Sequence, residues 1–220
     1  FDDNTDAILH HSGNNIVTLA ADVHLADTLN YIDDVAKTVG YLDWTGDVDG
    51  SGGINKTGTG TLRISGGSAN SYTGGFFWKD ASVIQINEDG SLFGTAGLTV
   101  GNGAAGTYTL ESRDGDHTVD GPLIIDGNLA LRRDTDAGII STNGGDLTFT
   151  GLTTLAAGQH SLDVGYGSQL ILDGDISGSG GIRNIGSGTL VLNGANNTFT
   201  GGVLLDGANV VVAHDQGLGT

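Results

Sequence analysis

Cysteine and methionine are absent from the 220 residues, and proline occurs once, at Pro122. Without cysteine there is no disulfide, no zinc–thiolate centre and no thiol catalysis. Basic residues are scarce too: Lys and Arg number 8 against 26 Asp and Glu, a formal net charge of -18. That balance repels phosphate, so nucleic acid and anionic membrane surfaces are poor partners. Charged residues reach only 15%, too few for a charge-driven disordered chain. No apolar run approaches the roughly 18 residues that span a bilayer, and no basic-then-apolar leader opens the chain.

What is abundant is glycine, 40 residues of it, without the every-third-residue period of collagen. Turn-rich all-β structure remains. Short apolar stretches such as SVIQIN, TYTL, QLILD and TLVL alternate with Gly, Asn and Asp turns. Many have a period of two, which gives each strand an inward and an outward face. Strands this short are not stable alone. Stacked in parallel, each pairs with the one above and below, and every coil shields the next.

A repeat organises these strands. GDVDGSGGINKTGTGTLRISG from Gly46 and GDISGSGGIRNIGSGTLVLNG from Gly174 are identical at 12 of 21 positions without a gap. Beyond them SYTGGFFWKDASV pairs with TFTGGVLLDGANV, and the copies close on Gly94-Thr95 and Gly219-Thr220. Upstream, TLAADVHL resembles TLAAGQHSL, so the copies run from about 17–95 and 153–220, with a diverged third at 106–133. There Pro122 replaces the second Gly of TGG and should sit at a strand start or corner, because it has no N–H for a ladder. These features read as a single β-solenoid segment over 1–220. A β-sandwich or propeller is the competing all-β reading, since Asp-Gly pairs also suit hairpins.

The first copy has 20 residues between Leu25 and Gly46 where the second has 11 between Leu162 and Gly174. In the excess, Leu29, Ile32, Val35 or Ala36, and Val39 recur at helical spacing, which predicts a short helix inserted near 28–39. A strand over TLNYI is the alternative.

The unit from Gly174 to Gly202 resembles the passenger-associated transport repeat of bacterial autotransporters. It carries GSGG, GTL and TFTGG in place, with Phe199 at the usual Tyr and Asn184 at the usual Lys; the first copy keeps Lys56, Tyr72, Thr73, Gly74 and Gly75. The resemblance implies a right-handed, single-stranded parallel β-helix, secreted to the surface of a Gram-negative bacterium. Its membrane link would be a C-terminal outer-membrane β-barrel absent from this chain. Family functions include secretion and folding of the passenger, adhesion and self-association. The chain opens on Phe1 and stops on the last matched repeat residue, which predicts a segment of a longer passenger. At ~20 to 29 residues per coil and about 4.8 Å between coils, ~8 to 10 coils are expected.

Candidate sites weigh less than this frame. DVDGSGGIN copies the first nine places of an EF-hand loop, making Asp47, Asp49 and Ser51 weak calcium candidates. The twelfth place is Gly58 where a bidentate Glu belongs, and Ser177 replaces Asp49 in the second copy. Arg113, Asp114, Asp116, His117 and Asp120 offer the residue types of a polysaccharide lyase, without a fixed geometry. No nucleophile elbow or phosphate-binding loop occurs. No cofactor is expected, and the chain is read as a non-enzyme. Trp44, Phe76, Phe77, Trp78 and Tyr166 are candidate sugar platforms. Of the FFW triplet, two should continue the core and one face out, making Phe77 or Trp78 beside Lys79 the candidate contact surface. Its partner would be a receptor or glycan on a host or neighbouring cell, or a second copy of the rod. The rival readings are a polysaccharide-active β-helix enzyme and a self-associating rod.

Overall fold

A computed structural model describes residues 7–11, 15–33, 41–66, 69–103, 106–133 and 145–220. The described residues form 24 strands, all paired in parallel, and no helix. They wind as a β-solenoid with three strands per turn. The first face is a sheet of 8 strands and the second a sheet of 9, while the third face carries sheets of 2 and 5 strands. Eight turns at about 4.8 Å each make a rod on the order of 40 Å long.

Register partners on neighbouring turns lie between 20 residues apart (Tyr41 and Thr61) and 33 apart (Leu129 and Leu162). The extra length is absorbed at corners, so the ladders continue through it. On the second face Leu42, Leu62, Ile84, Leu110, Leu131 and Val164 stand directly above one another. All are at most 1% exposed. Period-two alternation sends these residues inward, and a single apolar core runs the length of the rod. Each buried side chain is worth roughly 1.5–3 kcal/mol against the exposed state.

The third face is interrupted between the strands Val48–Gly50 and His117–Val119. There the ladder continues as separate backbone bonds, Ser71 N–H to Val48 C=O at 2.8 Å and Thr73 N–H to Gly50 C=O at 3.0 Å. An isolated bridge between Gly90 and Val119 rejoins it to the following sheet.

The two long copies do not stack face on face. In the first, Val48–Gly50, Ile54–Thr57 and Thr61–Ile64 occupy the third, first and second faces in turn. In the second, the matching strands Ile176–Gly178, Gly181–Asn184 and Thr189–Leu192 occupy the first, second and third. The repeat is therefore displaced by a whole number of turns plus one face. A face, not a turn, is the smallest interchangeable unit of this rod.

Two expectations meet the structure directly. Pro122 immediately precedes the strand Leu123–Ile125, and its carbonyl accepts from Leu98 N–H at 2.9 Å, a strand-start position. The helix near 28–39 is corrected over its described part: Leu29–Asp33 is a strand of the first face, paired with Ala7–His11 and Ile54–Thr57. Neighbouring strands on both sides offer this segment ladder partners, which outweighs a local 3.6-residue period. Residues 34–39 lie outside the described residues.

Candidate functional site

The residues shared by both copies converge on the corners, where they tie one turn to the next. Asn70 is 6% exposed. Its Oδ1 accepts from Val48 N–H of the turn before at 2.7 Å, and its Nδ2 donates to Leu92 C=O of the turn after at 2.9 Å. Asn197 repeats the arrangement at 2.7 and 2.9 Å, with Ile176 N–H and Gly217 C=O. One side chain thus satisfies two buried backbone groups, one on the turn before it and one on the turn after, at a place where a regular strand ladder is missing.

Two residues on, Tyr72 and Phe199 insert into the core at 0% exposure. Burial pushes the Tyr72 phenol well above its ordinary pKa. The closing Gly-Thr pair covers these rings. Gly94 has φ 69 and Gly219 φ 81, and a Cβ at Gly94 would lie 2.5 Å from the Tyr72 carbonyl oxygen and 2.8 Å from its ring. Only glycine fits there. Thr95 and Thr220 N–H donate to the carbonyls of Tyr72 and Phe199 at 3.0 and 3.1 Å.

Lys56 occupies an inward position of the first face, in register with Trp78, and is 0% exposed. Its ammonium donates to Gly60 C=O and to Ser82 Oγ, both at 2.9 Å. Ser82 also accepts from Trp78 Nε1 at 2.6 Å and donates to Asp80 C=O at 3.0 Å. The hydroxyl is saturated, and the lysine joins its own corner to the next. In the second copy Asn184 makes a shorter reach, donating to Asn209 C=O at 2.9 Å.

The outer surface of the second face carries a hydrogen-bonded polar row. The Arg63 guanidinium lies 3.8 Å over the Tyr41 ring and donates to Gln85 Oε1 at 2.9 Å, and Gln85 Nε2 donates to Glu111 at 2.9 Å. Farther along, Arg132 pairs with Asp163 and Arg183 with Asp206. This row went unread in the sequence because its members are one turn apart and share no motif.

The sequence-derived candidates are dispersed. Asp47 and Asp49 are exposed beside an open groove of about 330 Å³ that Asp22 and His24 also line. Asp49 engages His24 Nδ1 at 2.5 Å, whereas the Ser51 hydroxyl donates to Ala26 C=O at 3.0 Å. Among the described residues no group of three or more His, Cys, Asp or Glu is placed to hold a metal ion. Around Arg113, two carboxylates serve the neighbouring turn: Asp116 accepts from Asp146 N–H at 2.8 Å and Asp120 from the Thr150 hydroxyl at 2.9 Å. His117 bridges Asp89 and the Arg113 carbonyl. Asp114 has φ 59, the left-handed turn that Asp tolerates.

Of the FFW triplet, Phe76 and Trp78 are 2% and 0% exposed, while Phe77 is 38% exposed. Trp78 therefore leaves the candidate contact surface, because register with Lys56 and Val100 turns it inward. Phe77 faces out, and half-buried Lys79 receives the Tyr108 hydroxyl on its carbonyl at 2.8 Å. Trp44 belongs to the core and Tyr166 to the surface.

A parallel β-solenoid whose repeated residues bridge turns is the architecture of a repeat-built rod. The model of the passenger-associated-transport-repeat matches residues 54–77 and 185–212, the stretches that contain Lys56, Asn70 and Tyr72 and, in the second copy, Asn197 and Phe199. The chain is 34% identical over 173 residues, 65% of its length, to the adhesin BmaC autotransporter of Brucella suis biovar 1 (strain 1330). It spans about 5% of that relative's length. The chain thus carries the passenger-associated transport repeats of an autotransporter passenger. No solved structure matches it significantly.

Proposed function

We propose that this chain is a non-enzymatic β-helical scaffold of a surface passenger, whose repeats drive folding and secretion and whose outward side chains serve adhesion. The observation that carries the reading is the bridging asparagine. Asn197 has partners on the turns both before and after it, so its bonds are completed only when a neighbouring turn has docked. Each docked turn then offers a templated edge to the next, and folding outside the cell would draw the chain outward without a nucleotide. The relative's description as an adhesin supports the adhesive half of the proposal. Attachment would run through an outer-membrane barrel in a longer polypeptide.

The test is to place Asn70→Ala and Asn197→Ala in the passenger of a surface-displayed autotransporter and measure exported protein. Export should fall several-fold for the pair, with periplasmic material accumulating. Unchanged export would remove the secretion role. Binding of the purified chain to host cells or extracellular matrix tests the adhesive role, and lyase or glycosidase turnover on polysaccharide would overturn the non-enzymatic reading.

A further inference from the structure

Trp44 and Tyr72 are 5% and 0% exposed. Each ends in a polar atom without a hydrogen-bond partner in the protein, the indole Nε1 and the phenol Oη. Both line one interior cavity between turns, walled otherwise by Ile54, Ile64, Phe76 and Leu92, and by Asn70. The space open to the centre of a water molecule there is about 10 Å³, close to the volume that holds one water.

The second copy supplies an independent observation. The positions matching Trp44 and Tyr72 are Leu172 and Phe199, both 0% exposed. The N–H and the O–H are therefore lost together, while the intervening bridging asparagine is kept. Two polar groups that come and go as a pair, and that face one cavity without touching each other, share a third body.

We propose that this cavity is a binding site for a single buried water molecule. The water accepts from Trp44 Nε1–H and bonds to the Tyr72 hydroxyl. Asn70 Oδ1, which uses one lone pair on Val48 N–H, is the third polar group on the wall. Two to four polar partners are what a buried water requires. An apolar guest such as xenon is excluded by size.

The experiment is high-resolution crystallography of the 220-residue chain together with water–protein NOE spectroscopy. The expected result is a density peak within hydrogen-bond distance of both atoms, and an NOE from the Trp44 indole proton to a long-lived water. An empty cavity, or a direct Nε1–Oη bond, overturns the proposal. Tyr72→Phe should shorten the water's residence time at least tenfold, and an unchanged residence time counts against the site. In a cycle with Trp44→Phe, the two Tm changes should fail to add, whereas additive changes argue that the groups share nothing. If Trp44→Phe does not fold, Tyr72→Phe and the NOE carry the test.

Discussion

Asn197 leaves two buried backbone groups without a partner when it is truncated, Ile176 N–H and Gly217 C=O. At about 1–3 kcal/mol for each unsatisfied group, Asn197→Ala should lower stability by about 3 kcal/mol, read as a shift in the urea midpoint. Lys56→Met tests a different kind of tie: the stem stays packed, but Gly60 C=O loses its donor. A loss of about 2 kcal/mol is expected. Tyr72 gives the chain an alkaline sensitivity. Its folded pKa lies above the unfolded value of about 10, so the folded state holds the proton longer. Stability is intact below pH ~10 and falls above it by up to about 1.4 kcal/mol per pH unit. Tyr108, raised by burial and by Asp80 and Asp126, adds to the fall. Denaturation midpoints between pH 9 and 11 should show the loss, and Tyr72→Phe should flatten it. At this scale the sequence was only half legible. Lys56 and Tyr72 stood out as letters of the repeat pattern, but Asn70 did not, because a bond to a residue on another turn has no local signature. Phe77 and Trp78 could not be told apart either, because period two names alternate faces without saying which is inward.

Single strands are too short to stand alone, so an element here is a strand together with its ladder. Leu110 stacks between Ile84 and Leu131, and Leu110→Ala should cost about 2–5 kcal/mol because neither neighbour can move along the axis to close the gap. Calorimetry on the variant would check it, and a change under 1 kcal/mol would mean that the core is loosely filled. Glycine turns and alternating apolar residues made most strands readable in advance. The segment Leu29–Asp33 was misread for a physical reason: apolar residues at three- and four-residue spacing also satisfy a strand when its edges are paired on both sides. Helical periodicity is a statement about one isolated segment, and a solenoid has none.

For the whole rod, the governing quantity is the sum of near-neighbour interfaces. A chain shortened to end at Asn193 should therefore keep its β circular dichroism per residue, with a lower midpoint, whereas a single indivisible core would unfold outright. The charge of -18 acts over the same length. Raising sodium chloride from 10 to 500 mM shortens the Debye length from about 30 Å to under 5 Å, and Tm should rise by a few degrees as self-repulsion is screened. Architecture at this scale was the most legible feature, since a duplicated 21-residue block needs no knowledge of contacts to be seen. Its angular placement was not, because corner lengths set it.

That placement separates length from aim. Because matching strands of the two copies fall on different faces, one strand and its corner can be gained or lost while every inward residue still finds an inward seat. The insertion would lengthen the rod by a third of one rise and swing everything beyond it to the adjacent side. A surface rod of this kind can redirect what it presents by editing a single corner, without redesigning its core.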